Sequence, residues 1–97
     1  RLRFEWDEEK AKKNLNKHGV DFDEAATVFA DSFSITIHDP DHSADEQRYI
    51  DIGISAADRL LVVVYAESDQ LYVLSAVERQ QGRNGYFMKK TMVEKSD

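Results

Sequence analysis

Leu60-Leu61-Val62-Val63-Val64-Tyr65 is a continuous run of strand-forming apolar residues, strand-sized and too short for a buried helix. It reads as the central strand of a sheet, covered on both faces. Upstream, Arg48-Tyr-Ile-Asp-Ile-Gly-Ile54 alternates apolar and polar, and Ser55 to Asp58 is a turn. Further back, Phe33-Ser-Ile-Thr-Ile37 alternates as well, and His38 to Asp45 is a polar turn carrying the sole proline, Pro40. Downstream, Glu67-Ser-Asp-Gln70 reads as a hairpin and Leu71-Tyr-Val-Leu74 as the last strand. These pieces make a four-strand meander.

The N-terminal third is different. Arg3-Phe-Glu-Trp6 is a short strand, and Asp7 is a good N-cap with Glu8 and Glu9 in the favoured first turn. A helix follows to His18, where Gly19 stops it. Asp21 caps a second short helix with Phe22, Ala25, Ala26 and Phe29 at helical spacing. The predicted fold class is α+β: an N-terminal strand and two helices packed on one face of a mainly antiparallel sheet.

Length and composition narrow the function. At 97 residues the chain is one domain with a single modest core. It has no cysteine, so disulfides and thiolate metal sites are excluded, which fits a reducing cytoplasm. No run is long enough to span a membrane, and no apolar stretch follows the charged N-terminus as a signal peptide requires. A cytoplasmic location is expected. Charge is uneven: residues 1–20 hold six Lys/Arg against four Asp/Glu, residues 21–76 two against twelve, and residues 77–97 five against three. The acidic middle argues against broad capture of nucleic acid and suits a basic protein partner.

Few side chains stand out as chemistry. No glycine-rich phosphate loop and no nucleophile elbow is present. His38, Asp39, Asp41 and His42 cluster in one turn, which reads as solvated and aspartate-capped rather than metal-binding. Neither a metal nor another cofactor is expected. Lys17 and His18 end the first helix, where they could bind phosphate or simply complement the helix dipole. Lys10, Asn14 and Lys17 share one helix face that could meet a phosphate backbone or only solvent. Trp6 could stack on a base or belong to the core. Glu46 and Arg48 share one parity of a strand and could pair.

Taken together, these residues are more specific. Phe4-Glu-Trp-Asp7, Asn14, Lys17-His-Gly-Val20 and Phe22-x-Glu24-Ala25 are followed in order by Asp39-Pro-Asp-His-Ser43, Glu46-x-Arg48, Ile52-Gly53, Arg59-Leu-Leu-Val-Val-Val-Tyr65 and Ser75-Ala76. This series resembles the BrnT family over residues 4–76. The resemblance implies a compact RelE-like fold and a toxin of a bacterial type II toxin–antitoxin pair that cleaves RNA without metal. It also implies a BrnA antitoxin partner with a ribbon-helix-helix domain, and contact with operator DNA only through that antitoxin. Such cleavage needs a base for the 2′-hydroxyl, an acid for the leaving oxygen and cations for the phosphorane. On this reading the catalytic candidates are Lys10, Lys17, His18, Glu46, Arg59 and Glu67, and the RNA-binding candidates are Trp6, Asn14 and Arg48.

The resemblance stops after Ala76, dividing the chain into a toxin-like domain, 1–76, and a divergent tail, 77–97. The family typically continues Arg-x-Ala-Thr and then a helix rich in Glu and Arg with a Tyr-Glu near its end. This chain has Val77-Glu-Arg-Gln-Gln-Gly-Arg-Asn-Gly85, and Ser68 where an arginine is common. Back-translating the tail with one nucleotide inserted after the Ala76 codon restores Arg-Arg-Ala-Thr-Thr-Arg-Glu-Lys-Arg, two further residues, then Tyr-Glu. A frameshift is therefore the expected origin of the tail. The expected activity is an endoribonuclease weakened or inactivated by loss of these arginines. The alternatives are a binding module that engages a BrnA-type antitoxin without cutting, or a small domain that self-associates.

Overall fold

The computed structural model describes residues 2–38 and 47–80. Of the expected turn from His38 to Asp45, His38 is instead the last residue of a strand, paired with Tyr49; the rest of that turn, the candidate Glu46 and the tail from Gln81 lie outside the described residues. The elements are β1 (Arg3–Trp6), α1 (Glu8–His18), α2 (Phe22–Thr27), a 3-10 turn (Val28–Ala30), β2 (Ile35–His38), β3 (Gln47–Ile54), β4 (Leu60–Ser68) and β5 (Leu71–Arg79).

Local chemistry sets the helix ends as the sequence suggests. Asp7 Oδ1 accepts the Glu9 N–H at 2.8 Å, and Asp21 Oδ1 accepts the Glu24 N–H at 2.7 Å. Gly19 ends α1 at φ 71°, a left-handed cap that glycine enters without cost. Lys17 and His18 lie in the last turn, on the negative end of the helix dipole.

The five strands form one sheet in the order β1-β5-β4-β3-β2. All neighbours are antiparallel except β1 and β5, which are parallel. The run that decided the fold is the central strand. Its coverage differs from expectation: Leu61, Val63 and Tyr65 are buried under the helices, whereas Leu60, Val62 and Val64 on the other face are only half-buried. The two faces are apolar for different reasons. One packs on Val20, Phe22, Ala25 and Val28. The other carries Ile50 and Ile52 beside Val62 and Val64 from the neighbouring strand.

One aromatic row crosses the helix-bearing face, with one ring from each strand. His38, Tyr49, Tyr65, Tyr72 and Phe4 follow at centroid separations of 5.4, 5.7, 4.9 and 5.9 Å. Phe29 from the 3-10 turn sits edge-on to Tyr65 and Tyr72. Such edge and offset pairs add to burial energy. Gly53 is the point of closest approach beneath that turn. A Cβ there would come within 2.8 Å of Ser34 Cβ and 2.9 Å of Val28 Cγ1.

The last strand is longer than its sequence pattern indicated. β5 runs past Leu74 and Ala76 to Arg79. Its register slips between Val64 and Tyr65, which face Ala76 and Leu74, so Ser75 is an extra residue in a β-bulge. The bulge puts Leu74 and Val77, three apart, both in the core. Simple alternation therefore fails at this point, and the strand signal is lost from the sequence.

Candidate functional site: a cationic cleft on the open sheet face

Strand β1 ends at Trp6, opposite Leu74, while β5 continues. Beyond that point the outer edge of β5 needs another partner for its backbone. Asn14 supplies it. Its Oδ1 accepts the Val77 N–H at 3.0 Å, and its Nδ2 donates to Val77 O at 2.7 Å and to Val20 O at 3.1 Å. The side-chain amide replaces the missing peptide group of β1, as the demand that buried backbone groups be paired requires. Asn14 is 9% exposed, so it is a structural residue and does not share a solvent-facing stripe with Lys10 and Lys17.

Where the chain leaves β1 and enters α1, a cleft of about 100 Å³ lies on the sheet face that no helix covers among the described residues, the open face. Arg48, Ala66 and Val73 lie across β3, β4 and β5 in register, and Ala66 and Val73 form its floor. Lys10 and Asp7 come from the start of α1, and Ser75 comes from the bulge. Ser75 Oγ donates to Val64 O at 3.1 Å. Two cations therefore flank an apolar floor. The volume is well below the few hundred cubic ångströms of a pocket that encloses a whole small molecule, and suits one anionic group of a longer ligand.

The other candidates fall elsewhere. Lys17 and His18 lie near the far end of α1, roughly 10–12 Å along the axis from Lys10 at 1.5 Å per residue. Arg59 is at that same end, in a forked ion pair with Glu24: its Nε donates to Oε2 at 2.9 Å and its Nη2 to Oε1. Nη2 also reaches Gly19 O at 3.4 Å, and Ser55 Oγ donates to Glu24 Oε2 at 2.6 Å. This clamp joins α2, the end of α1 and the β3–β4 turn, and it absorbs the charge that a catalytic arginine would offer. The Arg59 hydrogen bond holds the Glu24 carboxyl below the ordinary glutamate range, and Glu24 in turn raises Arg59. Trp6 packs edge-to-face on Phe22 at 5.8 Å, on the helix-bearing face, so it is not a free stacking platform. Glu67 has the parity of Tyr65, opposite that of Arg48, and pairs across from Tyr72. Val77, at the position where arginine is usual, is 1% exposed.

Asp51, which shares the strand parity of Tyr49 and is not among the candidate site residues, is 2% exposed on the helix-bearing face and accepts a hydrogen bond from the cross-strand Thr36 Oγ1 at 2.7 Å. Burial raises its carboxyl above the ordinary aspartate range, with the nearby Asp31 charge adding to the effect. Asp31 shifts the other way, because its carboxylate accepts the N–H groups of Ile54 and Phe33. Burial likewise raises the Tyr65 hydroxyl. Among the described residues, no group of three or more His, Asp or Glu is placed to hold a metal ion. Among them also, no helix is long and apolar enough to cross a membrane.

Fold and cleft together define a small α+β domain with a cationic groove on an open sheet face. Residues 6–80 match the profile of the ribonuclease toxin BrnT of type II toxin–antitoxin systems, and the chain belongs to that family. Membership makes it a toxin-family protein with an antitoxin partner. It is similar in fold to the crystal structure of the Brucella abortus ribonuclease toxin BrnT, with a TM-score of 0.62 at 20% identity. That match covers 84% of this chain and 100% of the other. No curated protein matches the sequence.

Proposed function

We propose that this protein is a metal-independent ribonuclease toxin that grips the RNA backbone at the Lys10–Arg48 cleft. The observation that carries the reading is the convergence of these two cations, far apart in sequence, over one apolar strip of the open face. A cation pair in that position can neutralise a phosphate and the charge that builds on a phosphorane, while Ala66 and Val73 accept the face of a sugar or base. A BrnA-type ribbon-helix-helix antitoxin in the cytoplasm is its neutralising partner, and operator DNA is reached only through that antitoxin.

A second reading has its own support. Asn14 is used by the backbone of β5, Arg59 by Glu24, and Val77 by the core. An RNA-binding candidate, a catalytic candidate and the position where the resemblance leads to an arginine thus serve stability. On this reading the chain engages its antitoxin but does not cut.

One experiment separates the two. The full chain and a version with one nucleotide restored after the Ala76 codon are each incubated with a single-stranded RNA. Cutting by both chains supports the first reading, with the restored chain faster. Cutting by the restored chain alone supports the second. If neither cuts, the ribonuclease reading fails.

A further inference from the structure

We propose that Asp7 is the catalytic base of the cleft, an inference that rests on the ribonuclease reading above. Phosphodiester cleavage by the neighbouring 2′-hydroxyl needs a group to accept that proton beside the cations that hold the phosphate. Asp7 is the one carboxylate among the described residues that lines the Lys10–Arg48 cleft. Glu67 has the parity of the opposite sheet face, and Asp51 is sealed beneath the helices. Asp7 thus lines the same cleft of about 100 Å³ as Lys10 and Arg48.

The N-cap also orients this side chain. Asp7 Oδ1 accepts the Glu9 N–H at 2.8 Å, which fixes the carboxylate plane and leaves Oδ2 to take a proton. Lys10 lies three residues on, one turn along the same helix, so acid and base come from one rigid element. The step balances without a co-reactant. The 2′-oxygen gives its proton to Asp7 Oδ2 and forms the new bond to phosphorus. The bond from phosphorus to the 5′-oxygen breaks, and that oxygen keeps the electron pair and takes a proton from the Lys10 ammonium. Water then carries the proton from Asp7 back to Lys10. The products are a 2′,3′-cyclic phosphate and a free 5′-hydroxyl.

The cap chemistry provides a clean test. Asparagine caps a helix about as well as aspartate, so Asp7→Asn keeps the fold and the Glu9 hydrogen bond while removing the base. Three quantities are measured on the full chain: cleavage of a single-stranded RNA across pH, affinity for the same RNA made with 2′-O-methyl riboses, and melting temperature. Asp7→Asn is expected to lower cleavage by about a hundredfold or more. Melting temperature is expected to stay at the unsubstituted value, and 2′-O-methyl RNA affinity is expected to stay or rise, because a negative charge leaves the cleft. Asp7→Ser, another capping residue, is expected to behave alike. Cleavage by Asp7→Asn at the unsubstituted rate overturns the base assignment and leaves the ribonuclease reading standing. No cleavage by the unsubstituted chain overturns that reading, and the assignment with it.

Discussion

Both faces of the sheet carry apolar residues, and among the described residues they differ in what packs on them. On the helix-bearing face, polar groups are enclosed and matched: Asn14 with Val77, Thr36 with Asp51, Ser55 and Arg59 with Glu24. On the open face, Lys10 and Arg48 flank a shallow strip of Ala66 and Val73. The contrast separates two uses of a polar residue in a small domain. A group that replaces missing backbone pairing, or fixes two elements together, has no capacity left for a ligand. Lys10 and Arg48 instead line a cleft of about 100 Å³.

Removing Asn14 is the largest expected disturbance of the covered face. Asn14→Ala strands the buried N–H and C=O of Val77 and the C=O of Val20, at about 1–3 kcal/mol for each unsatisfied group. A loss of about 3 kcal/mol or more in urea unfolding is expected, a large share of a small domain's stability. A loss below about 1 kcal/mol would mean that Asn14 is not the seam of the covered face.

Thr36→Val should have the next largest effect, about 2 kcal/mol at neutral pH, because it removes a hydrogen bond to a charged group. Its pH dependence is diagnostic. Burial raises Asp51, so the folded chain binds that proton at a higher pH than the unfolded chain does. Acidification from neutral towards the unfolded value therefore stabilises the fold through Asp51, and the cost of Thr36→Val shrinks over the same interval. Glu24 and Asp31 work in the other direction. Their lowered values contribute stability above the unfolded value that is lost as pH falls through the folded one. Urea titrations of both chains at stepped pH check the sign.

The smallest effect is at the β4–β5 hairpin, which belongs to neither face. Asp69 and Gln70 both have positive φ, 50° and 68°, the backbone of a two-residue type I′ turn. Glutamine is poorly suited to the second position. Gln70→Gly is expected to stabilise the chain by about 1 kcal/mol and to leave RNA affinity unchanged. Thermal melts and RNA titrations read both.

Much of the fold is legible in the sequence because its signals are local. Asp7, Gly19 and Asp21 mark helix ends through bonds that span two to four residues. β2, β3 and β4 announce themselves by alternation or by a continuous apolar run. The distal half of β5 does not, since the Ser75 bulge breaks the period that alternation depends on. The site is less legible for a related reason. Asn14 looks like a member of a polar stripe until Val77, 63 residues away, takes up its amide. Arg59 looks like a spare cation until the turn after β3 brings it to Glu24. Lys10 and Arg48 line one cleft because β1, β5, β4 and β3 stand in that spatial order. Glu67 and Arg48 both have the right chemistry for one site, and register places them on opposite faces.

The central claim is that the open-face cleft, not the far end of α1, holds the RNA backbone. The direct test is the salt dependence of affinity for a 2′-O-methyl single-stranded RNA. It compares the Lys10→Ala/Arg48→Ala chain with the Lys17→Ala/His18→Ala chain. The first pair is expected to weaken binding and to reduce the slope of log K against log salt by about 0.7 for each phosphate no longer neutralised. The second pair should leave slope and affinity near those of the unsubstituted chain. A reduced slope in the second pair and an intact one in the first would contradict that claim.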